Sequence, residues 1–144
     1  MGRAMPLDPR VAIFLHSGAY DRIHQGLAIA AAAVAAGREV HLFFFWWALD
    51  RLLRDDLGEP DFSDAEAPEA ARDAAEDAFA SGYPTAAALL DAVRTSGRCT
   101  VYACSASAGL LGVRPDRVAE KVDRVVGWSA ILSITAGITD RFYL

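Results

Sequence analysis

The sequence predicts an α/β domain: a three-layer, mostly parallel five-stranded sheet with helices on both faces. Three observations point there. Short apolar runs rich in β-branched and aromatic residues alternate with helical patterns, the signature of βαβ units. The run 39–45 is apolar on both of its faces, as in a parallel strand covered by helices on each side. The chain has 144 residues, 53% of them hydrophobic and 23% charged, which suits one buried core spanning 1–144 as a single domain.

The elements follow in order. Residues 11–16 (VAIFLH) read as a buried strand, closed by a turn signal at Ser17 and Gly18. Asp21 is placed to cap a helix over 22–36, stopped by Gly37, with Ile23, Leu27, Ala30, Ala31 and Val34 at helical spacing. The second strand, 39–45, sets Val40, Leu42 and Phe44 on one face and His41, Phe43 and Phe45 on the other. Trp46 and Trp47 follow at its C-terminal end, and 49–56 forms a short helix. A helix over 85–96 places Ala86, Leu89, Leu90 and Val93 at i, i+3, i+4 and i+7, before Gly97. The third strand is 99–104 (CTVYAC). Ser105 leads into a helix over 106–111, ended by Gly112, and 115–120 makes a helical turn. A fourth strand at 122–126, a helix over 129–136 ended by Gly137, and a last strand at 140–144 complete the pattern. There is no internal repeat and no low-complexity linker.

Charge is unevenly distributed. The net charge is −5, but 58–84 holds eight acids and one base, Arg72, for −7, which leaves the rest of the chain at +2. This acidic insert contains a possible helix at 68–80 with Pro68 in its first turn. Phe79 is its expected apolar anchor, and the insert is expected to be weakly packed and dispensable for folding. No basic stripe exists, so nucleic acid is not an expected partner. No apolar run approaches the roughly 20 residues of a membrane helix, so no membrane partner is expected either. Residues 1–10 lack the apolar region of a signal peptide. Two cysteines in a chain of this size point to a reducing cytoplasm.

Right-handed crossovers bring the carboxyl ends of parallel strands to one edge, where open α/β sheets bind ligands. His16, Ser17, Gly18, Trp46, Trp47, Cys104, Ser105, Ala106 and Ser107 converge there by topology. Cys104 is the sharpest candidate. It ends a strand directly before a helix start, where unpaired N–H groups and the helix dipole favour a thiolate, and it is expected to be partly accessible. The same position also suits a buried structural cysteine. Cys99 begins the same strand, roughly 16 Å away, too far for a disulfide, which needs Cα atoms within about 7 Å; it reads as structural. His16 is either a partner for the thiol or a polar strand-end residue. Trp46 and Trp47 are pocket walls, core or subunit contact. His24 and His41 share metal-ligand spacing with no carboxylate or cysteine, so no zinc site is expected. Ser105 and Ser107 lack the G-x-S-x-G elbow of a hydrolase.

The segments VAIFLHSG with its Ala-rich helix, EVHLFFFWWAL, and VYACSASAG together resemble the DsrE/DsrF-like family, which includes TusD sulfur-relay and YchN-like proteins. The resemblance covers most of the chain outside the first ten residues and the acidic insert. It implies a five-stranded sheet flanked by helices and assembly into trimers or hexamers. It also implies a persulfide on the matched cysteine, Cys104, received from a donor protein. Two readings follow. One is a sulfurtransferase-like carrier in which Cys104 takes sulfane sulfur from a donor protein and passes it to an acceptor, with no metal or organic cofactor required. The other is a non-catalytic oligomeric module that binds a small ligand in the same crevice. The apolar run 43–47 exceeds what one thin sheet easily covers, which independently suggests a homo-oligomer contact.

Overall fold

The computed structural model describes residues 8–144. The reading of 1–10 as lacking a signal-type segment lies outside the described residues for 1–7. The chain forms β1 (Arg10–Leu15), α1 (Tyr20–Ala35), β2 (Glu39–Phe44), α2 (Trp46–Leu53), α3 (Glu69–Ala80) and α4 (Ala86–Thr95). It continues with β3 (Cys99–Cys104), α5 (Ser105–Leu110), α6 (Pro115–Ala119), β4 (Arg124–Val126), α7 (Trp128–Thr135) and β5 (Asp140–Tyr143). The five strands lie in the order β4-β3-β2-β1-β5, and every pairing is parallel.

The strand order explains the layers. From β1 to β4 the chain steps always in one direction, so right-handed crossovers put the connecting helices on one face. The last step reverses to reach the far side of β1, which sends α7 alone to the other face. The thick face packs Val11, Ile13, Leu15, Val40, Leu42, Phe44 and Val101 against Ile23, Leu27, Leu49, Leu90 and Val93 of the helices. Each such side chain, fully buried, stabilises the fold by about 1.5–3 kcal/mol. Gly26 lets α1 lie close to the sheet: a Cβ there would sit 2.4 Å from Leu15 Cδ2.

The thin face is aromatic. Register aligns Tyr143, Phe14, Phe43 and Tyr102 across four adjacent strands. Their rings stack in sequence at centroid distances of 4.6, 5.1 and 4.5 Å. Guanidinium groups of Arg141 and Arg124 lie over the Phe14 and Tyr102 rings at 5.4 and 5.7 Å, a favourable placement against the negative face of a ring. Ile131 and Ile138 pack on this ladder. Beside it, His41 Nε2 donates to Glu39 Oε1 at 3.0 Å. Its Nδ1 is then free to accept from the Tyr102 hydroxyl at 2.8 Å. Burial of His41 holds its pKa below the ordinary histidine value, outweighing the nearby Glu39 carboxylate.

Several expectations are corrected. α1 is capped by Ala19, not Asp21, which sits in the first turn; Ser17 Oγ accepts the Ala19 N–H at 3.1 Å and shapes the entry. Strand β2 stops at Phe44, and Trp46 and Trp47 open α2 rather than ending the strand. Trp46 adopts φ 42°, a left-handed value uncommon for a bulky residue. Val122 lies ahead of β4, buried in the thick-face core. Phe43, Phe44 and Phe45 are all buried within the chain itself, so of the apolar run 43–47 only the tryptophans reach the surface, Trp46 in part and Trp47 at 53% exposure.

The acidic insert is held more firmly than its charge suggests. No residue of α3 is buried, as expected for a polar helix. Yet Phe62, which the charge-based reading passed over, is buried, and Phe79 packs edge-on against Tyr20 at 5.8 Å. The Tyr20 hydroxyl donates to the Leu57 carbonyl and accepts the Ala86 N–H, both at 2.9 Å. It therefore ties together the two ends of the insert.

Candidate functional site

Backbone bonds knit the carboxyl edge of the sheet. His16 N–H donates to Leu144 O at 2.6 Å, Leu144 N–H to Phe14 O at 2.9 Å, and Phe45 N–H to Leu15 O at 2.9 Å. On the thin-face side of this edge opens a cavity of about 510 Å³, inside the range of roughly 300–1,000 Å³ usual for small-molecule sites. It exists because α7 covers the aromatic ladder only in part. Phe45 stacks on Trp128 at 5.2 Å, and Phe14, Trp46 and Tyr143 supply further aromatic wall.

The cavity brings together five of the nine residues singled out from the sequence: His16, Trp46, Cys104, Ala106 and Ser107. Ser17, Gly18 and Trp47 turn away. They line a separate cavity of about 340 Å³ with Arg51 and Asp50. The two tryptophan rings touch, with centroids 5.4 Å apart and planes inclined at 50°, so the pair stands between the two cavities with Trp46 lining one and Trp47 the other. Gly18 lies so close to α2 that a Cβ would fall 2.8 Å from Trp47 Cβ. Ser105 is exposed and outside both cavities.

Cys104 is a free thiol and 3% exposed, which corrects the expectation of partial accessibility. It ends β3 on the thin face, paired with Val126, and reaches the cavity as a wall residue. His16, beyond the end of β1, is exposed to solvent and lines the same cavity. Cys99, at the opposite end of β3, is partly buried beside Asp123. Burial first, and that carboxylate second, push its thiol pKa up to about 12, so it stays protonated and unreactive near neutral pH.

The sequence reading missed Phe14, Phe45, Leu110, Trp128, Tyr143 and Leu144 as wall residues. A signal was present for two of them. Trp128 follows β4 and Tyr143 ends β5, so the carboxyl-edge rule that selected His16 and Trp46 also reaches these residues. Among the described residues, no group of three or more His, Cys, Asp or Glu side chains is arranged to hold a metal ion. No described helix is long and apolar enough to cross a membrane. No protein-family model matches the chain, and no curated protein matches it in sequence.

Proposed function

We propose that this protein is a sulfur-relay carrier that holds sulfane sulfur as a persulfide on Cys104, in the manner the DsrE/DsrF-like resemblance implies. The observation that carries the reading is the placement of Cys104 in the wall of the 510 Å³ carboxyl-edge cavity, together with His16. The Cys104 thiolate attacks the outer sulfur of a donor persulfide. A new Sγ–S bond forms, the donor S–S bond breaks, and the donor leaves as a thiolate that takes up a proton from solvent or His16. An acceptor thiolate then attacks the outer sulfur on Cys104, carries it away as its own persulfide and restores the Cys104 thiolate. Neither step needs an external oxidant or reductant. The low exposure of Cys104 within an aromatic wall limits the access of stray thiols to the stored sulfur.

The low exposure of Cys104 favours a second reading, a small-ligand or assembly module in which the thiol is only part of an apolar wall. Mass spectrometry after incubation with a sulfane-sulfur donor separates the two. The carrier gains one sulfur atom on Cys104, and Cys104→Ala gains none. A chain that gains no sulfur, yet binds a hydrophobic dye displaceable from the cavity, fits the second reading.

Both readings include a homo-oligomer, trimeric or hexameric, formed in a reducing cytoplasm. Support for assembly comes from Leu110, Trp128 and Tyr143, which rim the cavity, and from Leu132, one turn along α7 from Trp128. All four side chains are exposed, and contiguous exposed apolar surface marks contact sites. Light scattering tests this: a mass near the 15.4 kDa of one chain refutes it.

A further inference from the structure

A second cavity, of about 330 Å³, lies on the thick-face side of the sheet, between α1 and the acidic insert, whereas Cys104 belongs to the thin face. Five rings line it: Tyr20 and Phe62 are buried, and His24 of α1, Phe79 of α3 and Tyr83, where the insert returns, are the ones a ligand can reach; Asp21, Gln25, Ala75 and Ala78 complete the lining. Four of these ring pairs meet nearly at right angles, while the pairs Tyr20–His24, His24–Tyr83 and Phe62–Phe79 are inclined at only 29°, 40° and 31°. Phe79 stands at 86° to Tyr20, 83° to His24 and 89° to Tyr83, and Tyr20 stands at 87° to Phe62. Centroid separations of 5.3–5.8 Å place these rings in direct edge contact. The box is closed by interactions that hold it open: Tyr20 is tied by its hydroxyl to Leu57 and Ala86, and His24 Nε2–H donates to Pro84 O at 2.9 Å. Tyr20 already carries one cation on a ring face, the Arg51 guanidinium 5.5 Å from its centroid.

The polarity of the box selects among ligands. No Lys or Arg is a wall residue, and Asp21 is the one charged wall. The segment that supplies Phe62, Phe79 and Tyr83 carries −7. Tyr20 and His24 already spend hydrogen bonds on the backbone, which leaves Gln25 as the one amide in the lining, so the site offers a ligand ring faces and negative potential more than directed hydrogen bonds. A cation that presents methyl groups in place of N–H donors fits this combination, because it is attracted by ring quadrupoles and carboxylates and leaves no donor unsatisfied.

We propose that this box is a binding site for a small quaternary ammonium ion. The acidic insert is then the element that completes the site, with α1 as its fixed half, independent of any chemistry at Cys104.

Titration of the full chain with choline, tetramethylammonium and 3,3-dimethylbutan-1-ol, the uncharged carbon isostere of choline, tests the proposal by calorimetry and by NMR shifts of the His24 and Tyr83 rings. Choline and tetramethylammonium are expected to bind about tenfold or more tightly than the isostere, as cation–π attraction from several rings predicts. Tyr83→Leu alters a side chain 58% exposed, so it leaves folding intact. It is expected to weaken choline binding about fivefold through loss of one ring face, and Asp21→Asn is expected to weaken it in the same direction. The proposal is overturned if the isostere binds as tightly as choline, if millimolar choline moves neither ring, or if the shifts map instead to Trp128 and Tyr143 in the other cavity.

Discussion

Tyr20 is the residue through which the core holds the acidic insert, and Tyr20→Phe isolates that function in one atom. The ring is 1% exposed, and phenylalanine fills the same space, so no cavity forms. What disappears is a hydroxyl with two buried backbone partners, each at 2.9 Å. The partners fare differently. Leu57 O still accepts the Ala87 N–H at 3.0 Å, so it remains satisfied. The Ala86 N–H, at the fully buried first residue of α4, has no other acceptor among the described residues. The cost is one lost hydrogen bond plus one orphaned buried donor, about 2 kcal/mol together. For a chain of this size that lowers Tm by roughly 6–10 °C. Urea denaturation with an unchanged m-value measures it. Limited proteolysis adds a local readout, because cleavage within 58–84 accelerates when the clamp is cut. A loss below about 0.5 kcal/mol, the range of a neutral surface substitution, with unchanged cleavage of the insert, refutes the clamp.

Four further outcomes follow from the same geometry. Replacing 58–84 with a short Gly/Ser linker leaves a cooperative unfolding transition because Leu57 and Ala86 are already held together, but removing Phe62 and Phe79 costs about 2–4 kcal/mol; non-cooperative unfolding refutes this. Gly26→Ala drives a methyl group to within 2.4 Å of Leu15 Cδ2 and destabilises by about 1–3 kcal/mol through overpacking, read by the same urea titration. The folded pKa of His41 lies below its unfolded value of 6.5, so on acidification the unfolded chain takes up a proton that folded His41 resists. Stability therefore falls as the pH drops below about 6.5, and His41→Gln has a shallower slope over that window; identical slopes sink the assignment. Cys99 shows the opposite window: its folded pKa of about 12 exceeds the reference value of 9.0, so its contribution is complete below pH 9 and lost as pH rises toward 12. Peptide mapping after brief alkylation at pH 8 should accordingly find Cys99 unlabelled.

Much of the fold is legible in the sequence because its signals are local. The two-sided apolar strand 39–45, the Ala-rich helix ended by Gly37 and the strand 99–104 each carry their own periodicity. All appear within a residue or two of the expected bounds. The errors fall where tertiary contact overrides local preference. Asp21 is a better cap by composition than Ala19, yet the turn is set by Ser17 bonding to the Ala19 N–H. The helix after the second strand was expected from residue 49, with Trp46 and Trp47 as the strand's C-terminal end. The chain instead turns at Trp46 through φ 42° and enters α2 there, placing Trp46 in the wall of the Cys104 cavity and the Trp47 backbone and Cβ against Gly18. The insert's helix is as unburied as its charge implies, but net charge averages over a segment, whereas anchoring depends on single residues, and Phe62 is the one the charge does not reveal.

The candidate site was half legible for a related reason. Topology brings strand ends to one edge, and the sequence names the residues at those ends, so Cys104, His16 and Trp46 meet as expected. The order of elements along the sequence does not reveal which face remains uncovered. That is decided by the single reversal of direction between β4 and β5, which places eight residues of α7 alone over an aromatic ladder spanning four strands. A helix of that length, at about 1.5 Å per residue, runs roughly 12 Å and leaves part of the carboxyl end of the face uncovered. The cavity is therefore a consequence of unequal covering, and its walls come from Phe14, Phe45 and Tyr143 because those residues share the thin face with Cys104. Gly127→Ala, at the start of α7, separates the ladder from the α5–α7 corner as the cause of this opening. A Cβ there would meet only Ser105 Oγ of α5, at 3.5 Å, an ordinary contact away from the ladder, so the variant should fold normally, within about 0.5 kcal/mol by urea titration, and leave the opening beside Cys104 unchanged.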